Sequence, residues 1–194
     1  MAGRLFRFML LKQVDNSARE NMNDSLLIVP IEQIPKIESI VNTPTDDLLQ
    51  IYKLCLQMEK LCTNENGIGL SAVQVGINHK LFIAIHPKSY GKNNRTYDYF
   101  VNCNYNPVGD DKTTSMEGCL SLKDKNGNLR YFEVSRYKKI RLGGYQFIID
   151  PEMSLKPIEM EVEGLFSIVY QHEIDHNLGV LISDIGKEIE IREN

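Results

Sequence analysis

No stretch of this chain is apolar for long enough to cross a bilayer. The longest runs, such as Leu81 to Ile85 and Ser25 to Ile31, fall far short of the roughly 20 residues a spanning helix needs. The opening MAGRLFRFMLLKQ is basic and apolar but has no small-residue cleavage site, so a cytoplasmic location is the expectation. An excess of positive charge is lacking as well: a formal net charge of −4 gives no broad cationic face for phosphate backbones or anionic lipid. Neither direct nucleic-acid binding nor a membrane partner is expected. Cysteine is sparse, with Cys55, Cys62, Cys103 and Cys119 the full set, and a chain of 194 residues can fold without disulfides. Reduced thiols are expected, and no repeat or low-complexity tract is present.

What is there is an ordinary globular composition, 42% hydrophobic and 25% charged, in a length that suits one domain spanning 1–194. Residues 1–43 carry no clear period, although Leu26–Pro30 and Ile34–Ile40 could be short extended segments. From Thr45 the pattern sharpens. Thr45 can cap a helix, and Leu48, Ile51, Cys55, Met58 and Cys62 recur at three and four, which predicts a helix over about 46–62 with the two cysteines on its buried stripe. Strands are predicted at Lys80–His86, at Tyr97–Tyr105, and on either side of Gly143-Gly144 at Lys138–Leu142 and Tyr145–Ile149. Lys125-Asn126-Gly127-Asn128 reads as a hairpin tip between Leu120–Lys123 and Leu129–Val134. Val162–Leu178 has helical period, ended by Gly179, with His172 and His176 on its apolar face. Short strands joined by turns and followed by a late helix predict an α+β fold, with mostly antiparallel sheets packed around that helix.

Gln171-His172-Glu173-Ile174-Asp175-His176 holds the spacing H-E-x-x-H, and residues four apart share one helix face, so two imidazoles can grip one cation. Glu173 leaves the helix beside His172 and can reach a water there without being a ligand. A catalytic divalent site usually has three protein ligands. Acids such as Asp184 or Glu188 could supply the third, but Cys119 in Met116-Glu117-Gly118-Cys119-Leu120-Ser121 is the stronger candidate, since a thiolate binds Fe, Zn, Co or Ni readily. The glycines of Gly67-Ile68-Gly69-Leu70-Ser71-Ala72-Val73-Gln74 permit close backbone approach, and Gln74 could donate to an oxygen that gains negative charge. Their spacing fails the dinucleotide fingerprint.

Together GIGLSAVQ, EGCLS and QHEIDH, in that order, resemble the signature motifs of the peptide deformylases, a likeness that runs from about Asp46 to Gly179. The resemblance implies a mixed, mostly antiparallel fold around a central metal-binding helix, preceded by a divergent segment of about 1–43. It implies removal of the N-formyl group from the N-terminal formylmethionine of nascent polypeptides. Carried over by position, Cys119, His172 and His176 would be the ligands of one divalent ion, usually Fe2+, with Zn2+, Ni2+ or Co2+ able to substitute. Glu173 would be the acid and base, and Gln74 with the Leu120 N–H would hold the formyl oxygen. Ile68, Gly69, Gly118, Ile168 and Val169 would surround the substrate. Any ribosome contact would be transient and made without a long basic C-terminal helix.

Several positions depart from the family pattern. Ser71 stands in GIGLSAVQ where GIGLAAxQ has alanine, Leu122-Lys123-Asp124 replaces Val-Pro-Gly, Asn177 replaces leucine, and Cys103 replaces the proline of an Asn-Pro pair. Two other readings stay open from the residues: a zincin-type metallopeptidase with an acidic third ligand, and a metal-binding module without catalysis.

Overall fold

The computed structural model describes residues 6–7, 45–126 and 128–190. The extended segments expected at Leu26–Pro30 and Ile34–Ile40 lie outside these residues, as do the side chain of Thr45 and the Gly127 of the expected hairpin tip.

Helix α1 (Thr45–Asn64) forms where the three-and-four spacing placed it: Leu48, Ile51, Cys55, Met58 and Cys62 are buried, while Leu56 faces out. Cys55 and Cys62 are free thiols, and burial pushes the Cys62 thiol up to about 12, so it behaves as a small core residue. A first sheet has the order β2 (Gly69–Ser71), β3 (Leu81–Ile85), β4 (Tyr97–Pro107), β7 (Lys139–Ile148), β8 (Ser154–Glu163), antiparallel throughout. A second has the order β1 (Phe6–Arg7), β5 (Lys112–Lys123), β6 (Leu129–Tyr137), β9 (Lys187–Ile189), and only its β1–β5 pair is parallel. The architecture is α+β.

Alternation along β4 explains the continuous apolar run of β3. Side chains on a strand point to opposite faces in turn. Tyr99 meets Tyr52 of α1, and Phe100 stacks on Phe82 and meets Tyr170 of helix α2 (Leu165–Asn177). The sheet is therefore covered by a helix on each face, and all of Leu81–Ile85 is buried. On its other side α2 is tied to β6 by Gln171, which accepts the Tyr137 N–H at 3.0 Å and donates to the Tyr137 carbonyl at 2.9 Å. Every residue from Ser167 to His176 is buried. A small helix α3 (Ile182–Ile185) packs Ile182 with Cys119, Phe132 and Val134 in a second cluster.

Two expectations are corrected, and one segment gains structure. Lys138–Leu142 and Tyr145–Ile149 are one strand: Gly143-Gly144 makes no turn, but faces a bulge in β4 between Val101 and Asn104, where a Cβ on Gly144 would come within 2.5 Å of Cys103 Sγ. The late helix begins at Leu165, because Val162 and Glu163 end β8, a strand the sequence pattern did not announce. The glycine-rich connection after Gly67 contains β2 and a 3₁₀ turn at Ala72–Val75 closed by Gly76 at φ +85°. Among the described residues no helix is long and apolar enough to cross a membrane.

Candidate metal centre and active site

One turn of α2 separates His172 from His176, which brings their Nε2 atoms to 2.9 Å of each other. Cys119 comes from β5, with Sγ 3.8 Å from the Nε2 of His172 and 3.6 Å from that of His176. All three are buried, and their ligand atoms lie within 4.8 Å of one another. Strand register explains how the thiol arrives. β5 pairs regularly with β6 as far as Gly118 opposite Tyr131, then loses register until Lys123 opposite Leu129, so its backbone departs from the ladder at Cys119. A Cβ on Gly118 would lie 2.8 Å from the Tyr131 ring, and only glycine leaves the ring room there. The acids considered as a third ligand are engaged elsewhere: Asp184 accepts the Leu181 N–H and Glu188 pairs with Arg130 at the surface.

A buried charge network sets the orientation of His172. Its Nδ1 lies 2.9 Å from Glu117 Oε2, and Arg136 forks onto Glu117 at 2.8 and 3.0 Å and continues to Asp175. Tyr105 donates to the other oxygen of Asp175 at 3.3 Å. Burial alone would raise Glu117, but hydrogen bonds from His172 and Arg136 overcome it and hold the carboxyl down to about 2. An ionised Glu117 only accepts, so His172 donates to it from Nδ1 and the ring presents Nε2 toward Cys119 and His176. Sequence reasoning passed over Glu117, Arg136 and Asp175. The readable signal was Arg136, which continues the inward positions of Phe132 and Val134 on β6: a charge on a buried strand face calls for partners.

Glu173 is fully buried next to this cluster. Its Oε2 accepts a hydrogen bond from Ser71 Oγ at 3.0 Å, and its Oε1 is left without a partner among the described residues. Burial pushes its carboxyl well above the usual range, with the Ser71 hydroxyl opposing the rise. Gln74 is buried in the 3₁₀ turn, its Oε1 accepting the Ser71 N–H at 2.6 Å. Leu120 follows Cys119 on β5, so its backbone stands next to the thiol. Ile68, whose carbonyl accepts the Ile85 N–H, and Gly69 lead into β2. Ile168 and Val169 are buried in the main core on α2.

The donor set fits a divalent cation of borderline softness: one sulfur and two imidazole nitrogens converge in a buried site. Burial pushes the Cys119 thiol well up, aided by the charge of Glu173, and pushes His176 well down, which is the cost a cation offsets when it sits among these donors.

A family model described as polypeptide deformylase matches residues 25–190. The chain is similar to the peptide deformylase of Zymomonas mobilis subsp. mobilis, at 31% identity over 82% of this chain and 86% of that one. It is also similar to the peptide deformylase of Psychrobacter arcticus, at 30% identity over 77% and 73% of the two chains. A crystal structure of a probable peptide deformylase from synechococcus phage S-SSM7 superposes with a TM-score of 0.61 at 29% identity, covering 79% of this chain and 92% of that one.

Proposed function

The chain belongs to the peptide deformylase family, and on that premise we propose that Cys119, His172 and His176 hold one divalent cation while Glu173 moves the protons of the reaction. It is an enzyme that removes the N-formyl group from nascent polypeptides. The observation that carries the assignment of residues is the convergence of Cys119 Sγ with both Nε2 atoms next to a buried, half-partnered Glu173.

When bound, the cation supplies the Lewis acidity that makes water a nucleophile at neutral pH and polarises a carbonyl. Thiolate and imidazole donors suit Fe2+, the expected ion in the cell, and accommodate Zn2+, Ni2+ or Co2+. Glu173 takes a proton at Oε1 from the attacking water and delivers it to the departing amine, so one carboxyl serves as base and then as acid. Gln74, its Oε1 already held by the Ser71 N–H, offers the other end of its amide to the formyl oxygen, joined by the Leu120 N–H. Each such donor is worth about 3 kcal/mol as charge builds on that oxygen. Ile68, Gly69, Gly118, Ile168 and Val169 surround the peptide and its first side chain. Glu117 keeps His172 in the tautomer that presents Nε2.

On this reading 1–194 is a single catalytic domain with α2 as its central metal-binding helix and a divergent segment over about 1–43. It works in the cytoplasm on emerging chains, with at most transient ribosome contact. The protein loaded with Fe2+ under anaerobic conditions releases formate from formyl-Met-Ala-Ser, and a chelator abolishes the release. Formate production unaffected by chelation sinks the proposal. Cys119→Ala separates it from a zincin-type peptidase with an acidic third ligand: the variant loses metal affinity by at least about 100-fold in a competition titration, whereas a peptidase of that kind keeps its metal.

A further inference from the structure

Among the departures from the family pattern, Ser71 had no evident partner in the sequence, and the fold gives it one 102 residues away. We propose that Ser71 is a positioning residue for Glu173, holding one carboxyl oxygen so that the other alone is presented to the reaction; this rests on the deformylase reading above.

The geometry has two parts, both on β2. Residues two apart on a strand share a face, and Gly69 and Ser71 together meet the side chain of Glu173. A Cβ at Gly69 would lie 2.5 Å from Glu173 Oε1, so the carboxyl packs directly on the glycine backbone. The Ser71 hydroxyl reaches Glu173 twice, at 2.7 Å to its main-chain carbonyl and at 3.0 Å to Oε2. Sharing one proton between these acceptors ties the side chain of Glu173 to its own backbone through Ser71. Gln74 closes the arrangement by accepting the Ser71 N–H at 2.6 Å, which fixes the serine backbone.

A glutamate has three side-chain torsions, and its two oxygens are chemically equivalent until something distinguishes them. Among the described residues Oε2 is occupied and Oε1 is not. Proton transfer requires the reacting oxygen within hydrogen-bond reach of its partner, so a clamp on one oxygen raises the fraction of molecules ready to react. Alanine at this position leaves substrate contacts and metal ligands untouched but releases the carboxyl.

The experiment compares the Fe2+-loaded enzyme with Ser71→Ala and Ser71→Thr on formyl-Met-Ala-Ser. The expected result is a kcat about tenfold lower in Ser71→Ala, the size expected for losing one buried hydrogen bond that places the reacting carboxyl. KM should stay within about twofold and metal content should be unchanged. Ser71→Thr, which keeps the hydroxyl, recovers most of the loss. Crystal structures supply a readout independent of turnover: one Glu173 conformation in the parent and more than one in Ser71→Ala. A kcat within twofold of the parent overturns the proposal, as does a loss explained by missing metal, or a Glu173 that stays fixed without the hydroxyl. Should Ser71→Thr fail to fold, the split between kcat and KM in Ser71→Ala, with its metal content, decides alone. No formate from the parent enzyme, with Glu173 well ordered, would fault the deformylase reading and not the clamp.

Discussion

Glu173→Gln lowers formate release by about 10³-fold while the protein keeps its metal and its melting temperature, because proton transfer by a placed side chain typically contributes 10²- to 10⁴-fold. The substitution keeps the volume of a fully buried side chain, so packing against Gly69 is preserved. It can also keep the hydrogen bond from Ser71, with the amide oxygen taking the place of Oε2. What it removes is the capacity of the remaining position to accept a proton, and it places two donors where the parent has an acceptor without a partner among the described residues. None of Cys119, His172 or His176 is altered, and the side chain that orients His172 is Glu117. Steady-state kinetics beside metal analysis and a thermal melt test this directly. Turnover within tenfold of the parent, in a variant with full metal content, removes Glu173 from the mechanism.

Much of the site was readable in one dimension because local geometry alone creates it. His172 and His176 meet through a single helical turn, so the spacing of four is enough. Cys119 was readable as a chemical need, a third donor of suitable softness, and through the likeness of EGCLS to a family motif; its arrival depends on the loss of register between β5 and β6 after Gly118. Of the Glu117–Arg136–Asp175 network only the charge of Arg136 on a buried strand face was readable; its partners were not, since the network joins β5, β6 and α2 and pairing these residues requires the strand register first. The same holds for Ser71, whose partner lies on α2.

The fold errors have the same origin. β8 was missed because Leu155, Ile158, Met160 and Val162 begin with a helix-like step of three, and because Pro157 argues against a strand interior. Proline is tolerated there because β8 lies at the edge of its sheet. Gly143-Gly144 carries a turn signature, yet its freedom is used for the close approach of Cys103 across the β4 bulge. By contrast α1 and β3 were found nearly to the residue, since a buried stripe and a continuous apolar run are imposed by burial.

Arg136→Met destabilises the protein by about 3–5 kcal/mol, the usual cost of removing one member of a buried ion network, and lowers its melting temperature by roughly 10–15 °C for a chain of this size. Arg136 is 2% exposed and bridges two carboxylates, so its loss leaves Glu117 and Asp175 buried without their counter-charge. The sign of the pH dependence follows. In the parent, Glu117 is held at about 2 against an ordinary 4.5, so its stabilisation is fully present above about 4.5 and is lost as acid brings the pH down toward 2. Without the guanidinium that window moves upward, and the variant unfolds at a higher pH than the parent. The second change Glu117→Gln relieves one stranded carboxylate and restores part of the lost stability, so the two substitutions are far from additive. Thermal and acid denaturation of the parent, both single variants and the double variant measure the coupling. An Arg136→Met protein that melts within about 3 °C of the parent, or a double variant whose losses simply sum, would show that the network does not hold β5, β6 and α2 together.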